Sequence, residues 1–257
     1  VIVLTAGTAF LMWLGEQITE KGIGNGISII IFTGILSRIP TDIGRTIALF
    51  SVGTVKIWEI LIFLVFAFFI IVGVIAIQQA ERKVNVQYAK RVVGRKMYGG
   101  QSTHIPLKLL MAGVMPVIFA MAFLSFPQLV GKFLVSKNYN EGLTNVAEKV
   151  LDFINNPYIK DGLTFLLVIG FSFVYLSVVF KTDELAENLQ KQGAFIQGIR
   201  PGENTSDYLR KISLRLAAVG AIFLALLSIL PDLFVRVGLV NGAVFSGTGL
   251  LIVIGVI

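Results

Sequence analysis

Residues 57–79 read IWEILIFLVFAFFIIVGVIAIQQ, a run of 23 residues whose single ionisable side chain, Glu59, stands in its first turn. A helix rises 1.5 Å per residue, and about 20 apolar residues cross the ~30 Å hydrocarbon core of a bilayer. An open strand edge has no way to satisfy its backbone groups in lipid, so a run of this kind is a helix. It fixes the fold class as an all-α membrane protein, and the rest of the chain is read from it.

Six further apolar segments flank it, at 1–15, 27–40, 109–130, 163–180, 212–230 and 248–257. Segment 27–40 is short, and Arg38 lies near its end, where a long side chain can snorkel to the interface. The composition agrees: of 257 residues, 55% are hydrophobic and 14% charged. Soluble domains carry about a quarter charged residues. The mean hydropathy is +0.83. The chain opens at Val1 inside one apolar run and closes at Ile257 inside another that is too short to span. It is therefore expected to be a piece of a longer polytopic protein. The opening run lacks the basic n-region and small-residue cleavage site of a signal peptide.

The net charge is +7, and its distribution sets the topology. The loops after 1–15, after 57–79 and after 163–180 share one side of the membrane and hold 14 basic residues, against 7 on the other side. The positive-inside rule puts the first set in the cytoplasm. Loop 81–108 dominates, with Arg82, Lys83, Lys90, Arg91, Arg95, Lys96 and Lys108 against Glu81. Such a loop either fixes topology and touches lipid headgroups, or docks an anionic partner such as ribosomal RNA. Two loops carry helices of their own. Leu143, Val146, Ala147, Val150, Leu151 and Ile154 recur at helical spacing until Asn156-Pro157, an amphipathic helix on the outer surface. In loop 181–211, Thr182 is expected to cap a short helix with Asp183, Glu184 and Glu187 at its start, Lys191 at its end and Gly193 just beyond.

Several functions are disfavoured. Without Cys there are no disulfides, iron–sulfur clusters or thiolate zinc sites. His104, the only His, lies in a loop, and no HExxH, GxSxG or Walker motif occurs. The stretch Gly22–Gly26 has no P-loop Lys and reads as a helix-to-helix turn. No catalytic residue, cofactor or metal site is expected, so the energy source belongs to a partner. Arg38, Glu59, Arg215 and Arg236 all stand near segment ends, whereas proton-coupled transporters usually bury such groups near the midplane. Sodium coupling through carbonyls and hydroxyls stays open. An ion-coupled secondary transporter is thus the alternative reading, with a structural membrane anchor behind it.

A set of polar stretches goes further: FLMWLGEQ (10–17), GIGNGIS (22–28), YAKR (88–91), QSTHIPLK (101–108), MAGVMP (111–116), NLQKQGAFIQGIRPGENT (188–205) and GTGLLIV (247–253). In order and spacing the chain resembles the SecY family of protein-conducting channels, in its bacterial form. The resemblance implies ten helices in two pseudo-symmetric halves around an hourglass pore, with this chain running from the fourth helix into the tenth. Residues 1–56 would end the first half, and 57–257 would form the second, with cytoplasmic loops 81–108 and 181–211. Segments 109–130 and 163–180 would supply one side of the lateral gate.

The resemblance also implies a function: translocating unfolded preproteins across the bacterial plasma membrane and inserting helices into it. The expected partners are SecE and SecG subunits, the SecA motor ATPase or a ribosome, preprotein signal sequences and membrane lipids. By the same resemblance, Ile31, Ile118, Phe123 and Ile252 fall on the pore ring, Phe123 where the family usually has an aliphatic residue. Lys90, Arg91, Arg95, Lys96 and Arg200 fall on the docking loops. A narrow apolar ring dewets and so blocks ions, which suits a channel for polypeptides.

Overall fold

The computed structural model describes residues 2–22, 26–88, 91–93, 96–98, 102–111, 113–137 and 141–236. The last apolar segment, 248–257, lies outside them. The chain divides into two compact units: residues 1–74 with 230–257, and residues 75–229.

In the first unit, α1 (Ile2–Lys21) and α2 (Gly26–Leu36) cross closely. A Cβ on Gly26 would lie 2.0 Å from the Gly15 carbonyl oxygen, so only glycine fits at the crossing. Thr19 Oγ1 closes the junction, donating to Gly15 O and accepting from Gly26 N, both at 2.9 Å. An otherwise orphaned N–H at the start of α2 is thereby satisfied. At Ser37-Arg38 the helix breaks, and Pro40, which has no N–H to give, starts α3 (Ile39–Ser51). The short segment expected at 27–40 is thus the first part of a longer broken stretch, and Gly26–Ser51 as a whole has the length and composition of a span.

The run at 57–79 is α4 (Ile57–Gln79). Phe63, Ala67, Ile70 and Val74 fall on one buried stripe at helical spacing, while Leu64, Phe68, Phe69 and Val72 are exposed. A helix that is apolar all round is a membrane span or the buried helix of a large protein, and the length and hydropathy of this one suit a span. Phe66 stacks on Phe234 with ring centroids 4.0 Å apart.

The second unit holds a feature absent from the sequence reading. Loop 81–108 is not irregular. It folds as β1 (Glu81–Tyr88), the hairpin β2 (Arg91–Val93) with β3 (Lys96–Tyr98), and β4 (Ser102–Lys108). β4 pairs antiparallel with β1, Glu81 opposite Lys108 through Gln87 opposite Ser102. Loop 181–211 supplies α8 (Thr182–Lys191), whose N-cap is Lys181 and not the expected Thr182, because the Thr182 hydroxyl is engaged by Ser206 of the next helix; it also supplies β5 (Ala194–Ile196), which pairs with the other edge of β1, Val86 opposite Ile196. The two loops therefore share one three-stranded sheet, β4-β1-β5.

Val84, Val86 and Leu107 from the sheet pack with Leu189 of α8, Ile196 of β5, and Leu209 and Ile212 of the long closing helix α9 (Glu203–Arg236). Three strands with one apolar face covered by helices make a stable unit where a lone hairpin would not.

α5 (Met115–Lys137), α6 (Glu141–Asn155) and α7 (Pro157–Val179) pack beside one another. α6 is the amphipathic helix expected at 143–154. Asn156 ends it and caps the next, accepting from Tyr158 N at 3.2 Å. α9 begins well before the apolar segment 212–230, because its first two turns belong to the sheet's core. Six helical stretches among the described residues are long and apolar enough to cross a membrane.

Candidate functional site

The polar stretch 188–205 leaves α8, forms β5 and turns through Gly198-Ile199-Arg200-Pro201-Gly202 before α9. Gly198 and Gly202 have φ of +83° and +100°, which a residue with a Cβ rarely adopts. They bend the chain sharply on both sides of Arg200. Buried Thr205 donates from Oγ1 to the Arg200 carbonyl at 2.9 Å, and Thr205 N and Ser206 N both donate to Gly202 O. Ser206 Oγ in turn donates to Asp183 Oδ1 at 2.5 Å and lies 3.1 Å from Thr182 Oγ1, tying the start of α9 to the start of α8. The backbone of Arg200 is thus held from several directions while its side chain is exposed. That arrangement suits contact with a partner.

Arg91 and Lys96 sit on the hairpin beyond β1, Arg91 opposite Tyr98 and Lys96 opposite Val93. Lys90 and Arg95 lie outside the described residues. His104 is exposed on β4 opposite Asn85, and no group of His, Asp and Glu among the described residues is arranged to hold a metal.

The expected ring positions divide between the units. Ile31 on α2 is half-buried in the first, and Ile118 on α5 is half-buried in the second. Ile252 lies outside the described residues. Ile118 and Phe123 are five residues apart, about 140° around a helix. Phe123 joins Phe119 against Phe171 of α7, with centroids 6.0 and 6.1 Å from that ring. The residue on the face of Ile118 one turn further is Ala122.

Sequence reasoning missed three polar groups at this level. Asp161 is buried on α7, just before the apolar segment that began at 163. Ser172 is buried in the middle of α7 and donates to Val168 O at 2.7 Å. Ser213 is buried on α9, and its Oγ has no hydrogen-bond partner among the described residues.

Comparison with known proteins gives a consistent outcome. The family model described as SecY matches residues 1–257. Proteins named protein translocase subunit SecY match across the chain. That of Bacillus licheniformis is 49% identical, over 99% of this chain and 59% of its own length. That of Bacillus subtilis is 46% identical with the same coverage, and that of Thermus thermophilus 45% identical, over 100% of this chain and 57% of its own. The chain thus spans less than two thirds of these relatives. A solved structure described as the structure of a protein conducting channel superposes with a TM-score of 0.66 at 16% identity, covering 97% of this chain and 60% of that one. A second, concerned with the plug domain of the SecY protein, gives 0.65 at 19% identity. At such identities these two likenesses speak to fold alone.

Proposed function

This chain belongs to the SecY family, and we propose that it provides much of the pore-forming subunit of a channel that moves unfolded preproteins across the bacterial plasma membrane and releases helices into it. The observation that carries this reading is similarity to proteins named as translocase subunits over 99 to 100% of the chain, at 44 to 49% identity. Cargo of arbitrary sequence needs a conduit that does not hold it. The longest apolar run suits that need, since α4 carries its one ionisable group, Glu59, in its first turn.

In this reading Ile31, Ile118 and Ile252 contribute aliphatic side chains to the constriction. Phe123 adds an aromatic side chain to the same ring, packed against Phe171 of α7. α5 and α7 form one side of the lateral gate for signal sequences. SecE and SecG subunits and surrounding lipids complete the assembly. The shared sheet gives the SecA motor or a ribosome a firm cytoplasmic platform, with Arg200 at its bend, Arg91 and Lys96 on the β2–β3 hairpin, and Lys90 and Arg95 in the same loop of the sequence. Residues 1–56 belong to the first half and 57–257 to the second.

The test is protease protection of a preprotein in proteoliposomes holding the full-length protein, its partner subunits and SecA with ATP. ATP-dependent protection is expected. Saturable uptake of a small solute in place of protection would mean that a transporter is the better description.

A further inference from the structure

Where α7 ends and α8 begins, a groove of about 380 Å³ opens against α9. Four charged residues line it: Lys181, Asp183 and Glu184 from the α7–α8 corner, and Arg210 from α9. The signs balance, two positive and two negative. Below them Leu176, Phe180 and Leu214 make an apolar floor. Lys181 is already paired with Glu184 at 2.7 Å, and Asp183 accepts from Ser206, whereas Arg210 has no ion pair among the described residues.

One group in the groove is anomalous. Ser213, one turn along α9 from Arg210, is 1% exposed and its Oγ makes no hydrogen bond among the described residues. A buried hydroxyl without a partner costs about 1–3 kcal/mol, so a native structure rarely leaves one without reason.

The depth of the groove identifies its surroundings. The apolar run that forms α7 stops at Phe180, and on α9 the last charge before the apolar run is Arg215, with Leu216 onward apolar. The groove therefore straddles the boundary between hydrocarbon and headgroups on the cytoplasmic side.

We propose that this groove binds the headgroup of a zwitterionic, primary-amine phospholipid. The phosphate lies on Arg210, with Ser213 Oγ donating to a phosphate or glycerol-ester oxygen. The ammonium donates to the Asp183 and Glu184 carboxylates, and an acyl chain covers Leu176, Phe180 and Leu214. The balanced charge selects this class. A purely anionic headgroup would meet two carboxylates, and a quaternary choline has no N–H to give them. An interaction through both charges of one headgroup also explains a lining that carries cations and carboxylates together.

Native mass spectrometry of the detergent-purified protein, titrated separately with phosphatidylethanolamine, phosphatidylglycerol and phosphatidylcholine, reads the binding directly. Phosphatidylethanolamine should be retained most tightly. Arg210→Gln should weaken its retention about tenfold, the scale of losing one charge-assisted contact. Ser213→Ala should weaken it less, and Lys211→Gln, one residue along and outside the groove, should leave it unchanged. Arg210 is exposed, so its variant should fold, and an unchanged melting temperature in lipid-free detergent checks this. Equal retention of the three lipids, or equal effects of Arg210→Gln and Lys211→Gln, overturns the proposal. So does a co-purified polypeptide that occupies the groove and excludes the lipid.

Discussion

Leu209 is the residue through which the joint folding of loops 81–108 and 181–211 is most directly tested. It is fully buried and packs in a core drawn from β1, β4, α8, β5 and α9. Leu209→Ala removes three buried carbons at a site surrounded by Val84, Val86, Leu107, Leu189 and Ile196, of which all but Leu189 are held in place by sheet register. Truncations of this kind cost 2–5 kcal/mol. A loss of about 3 kcal/mol raises the opening equilibrium roughly 150-fold. Because the core is common to both loops, amide exchange should rise together at 81–88, 102–108 and 194–196. Exchange in the middle of α7 should not move. The assay is hydrogen–deuterium exchange with mass spectrometry on the detergent-solubilised protein, variant against parent. Faster exchange confined to 181–211, with β1 and β4 as protected as before, would show that the loops fold separately and sink the argument. Translocation should fall as well, since an exposed Arg200 is useful only while its bend is held.

Four further outcomes follow from the same geometry. Arg200→Glu should leave complex assembly intact and reduce SecA-driven translocation to near background, as read by protease protection; normal transport would remove Arg200 from the docking surface. Glu at Lys90, Arg91, Arg95 and Lys96 together should weaken ribosome binding and flatten its dependence on salt, since that attraction is electrostatic; unchanged affinity and slope in a sedimentation assay would leave those residues a topological role only. Gly26→Ala, whose Cβ would lie 2.0 Å from Gly15 O, should force α1 and α2 apart and lower the melting temperature in detergent by several degrees, while Gly34→Ala, with open space around it, should have little effect. Cys at Ile31 or Ile118 should crosslink to an arrested translocating chain and Cys at exposed Phe68 or Phe69 should not, equal yields arguing that the pore lies elsewhere.

The spans were legible because the property that makes them, continuous apolarity over a bilayer's thickness, is local. Ile57–Gln79 could be read to the residue, and the amphipathic helix at 143–154 nearly so. Boundaries failed where a helix serves two environments. α9 carries on beyond its apolar part because Leu209 and Ile212 belong to a water-facing core, and hydropathy alone has no way to join the two. Asp161 was passed over for the same reason, since its burial on α7 comes from packing that begins before the apolar segment. The turn at Ser37-Arg38 had a signal in Pro40, which was read only as the end of a segment.

The sheet is the instructive omission. Val84-Asn85-Val86 and Ile105-Pro106-Leu107 alternate with a period of two, the pattern of a half-buried strand. Each is short, and in a loop dense with Lys and Arg the charge draws the eye first. More importantly, neither loop holds enough apolar surface to fold alone. β1 needs β4 on one edge and β5 on the other, and β5 lies more than a hundred residues along the chain, beyond two membrane-length helices. A pairing across that distance is recorded in no local pattern. It becomes favourable only because α5 and α7 return the chain to the side it left, so that membrane insertion performs the loop closure that the sheet would otherwise have to supply in entropy. The polar stretches that carry the family resemblance, 101–108 and 188–205, are the same segments that meet in this sheet and its adjoining bend. Their unusual length as polar motifs is what a folded platform between spans requires, and a loop that served only to set topology would need charge but no such fixed order of residues.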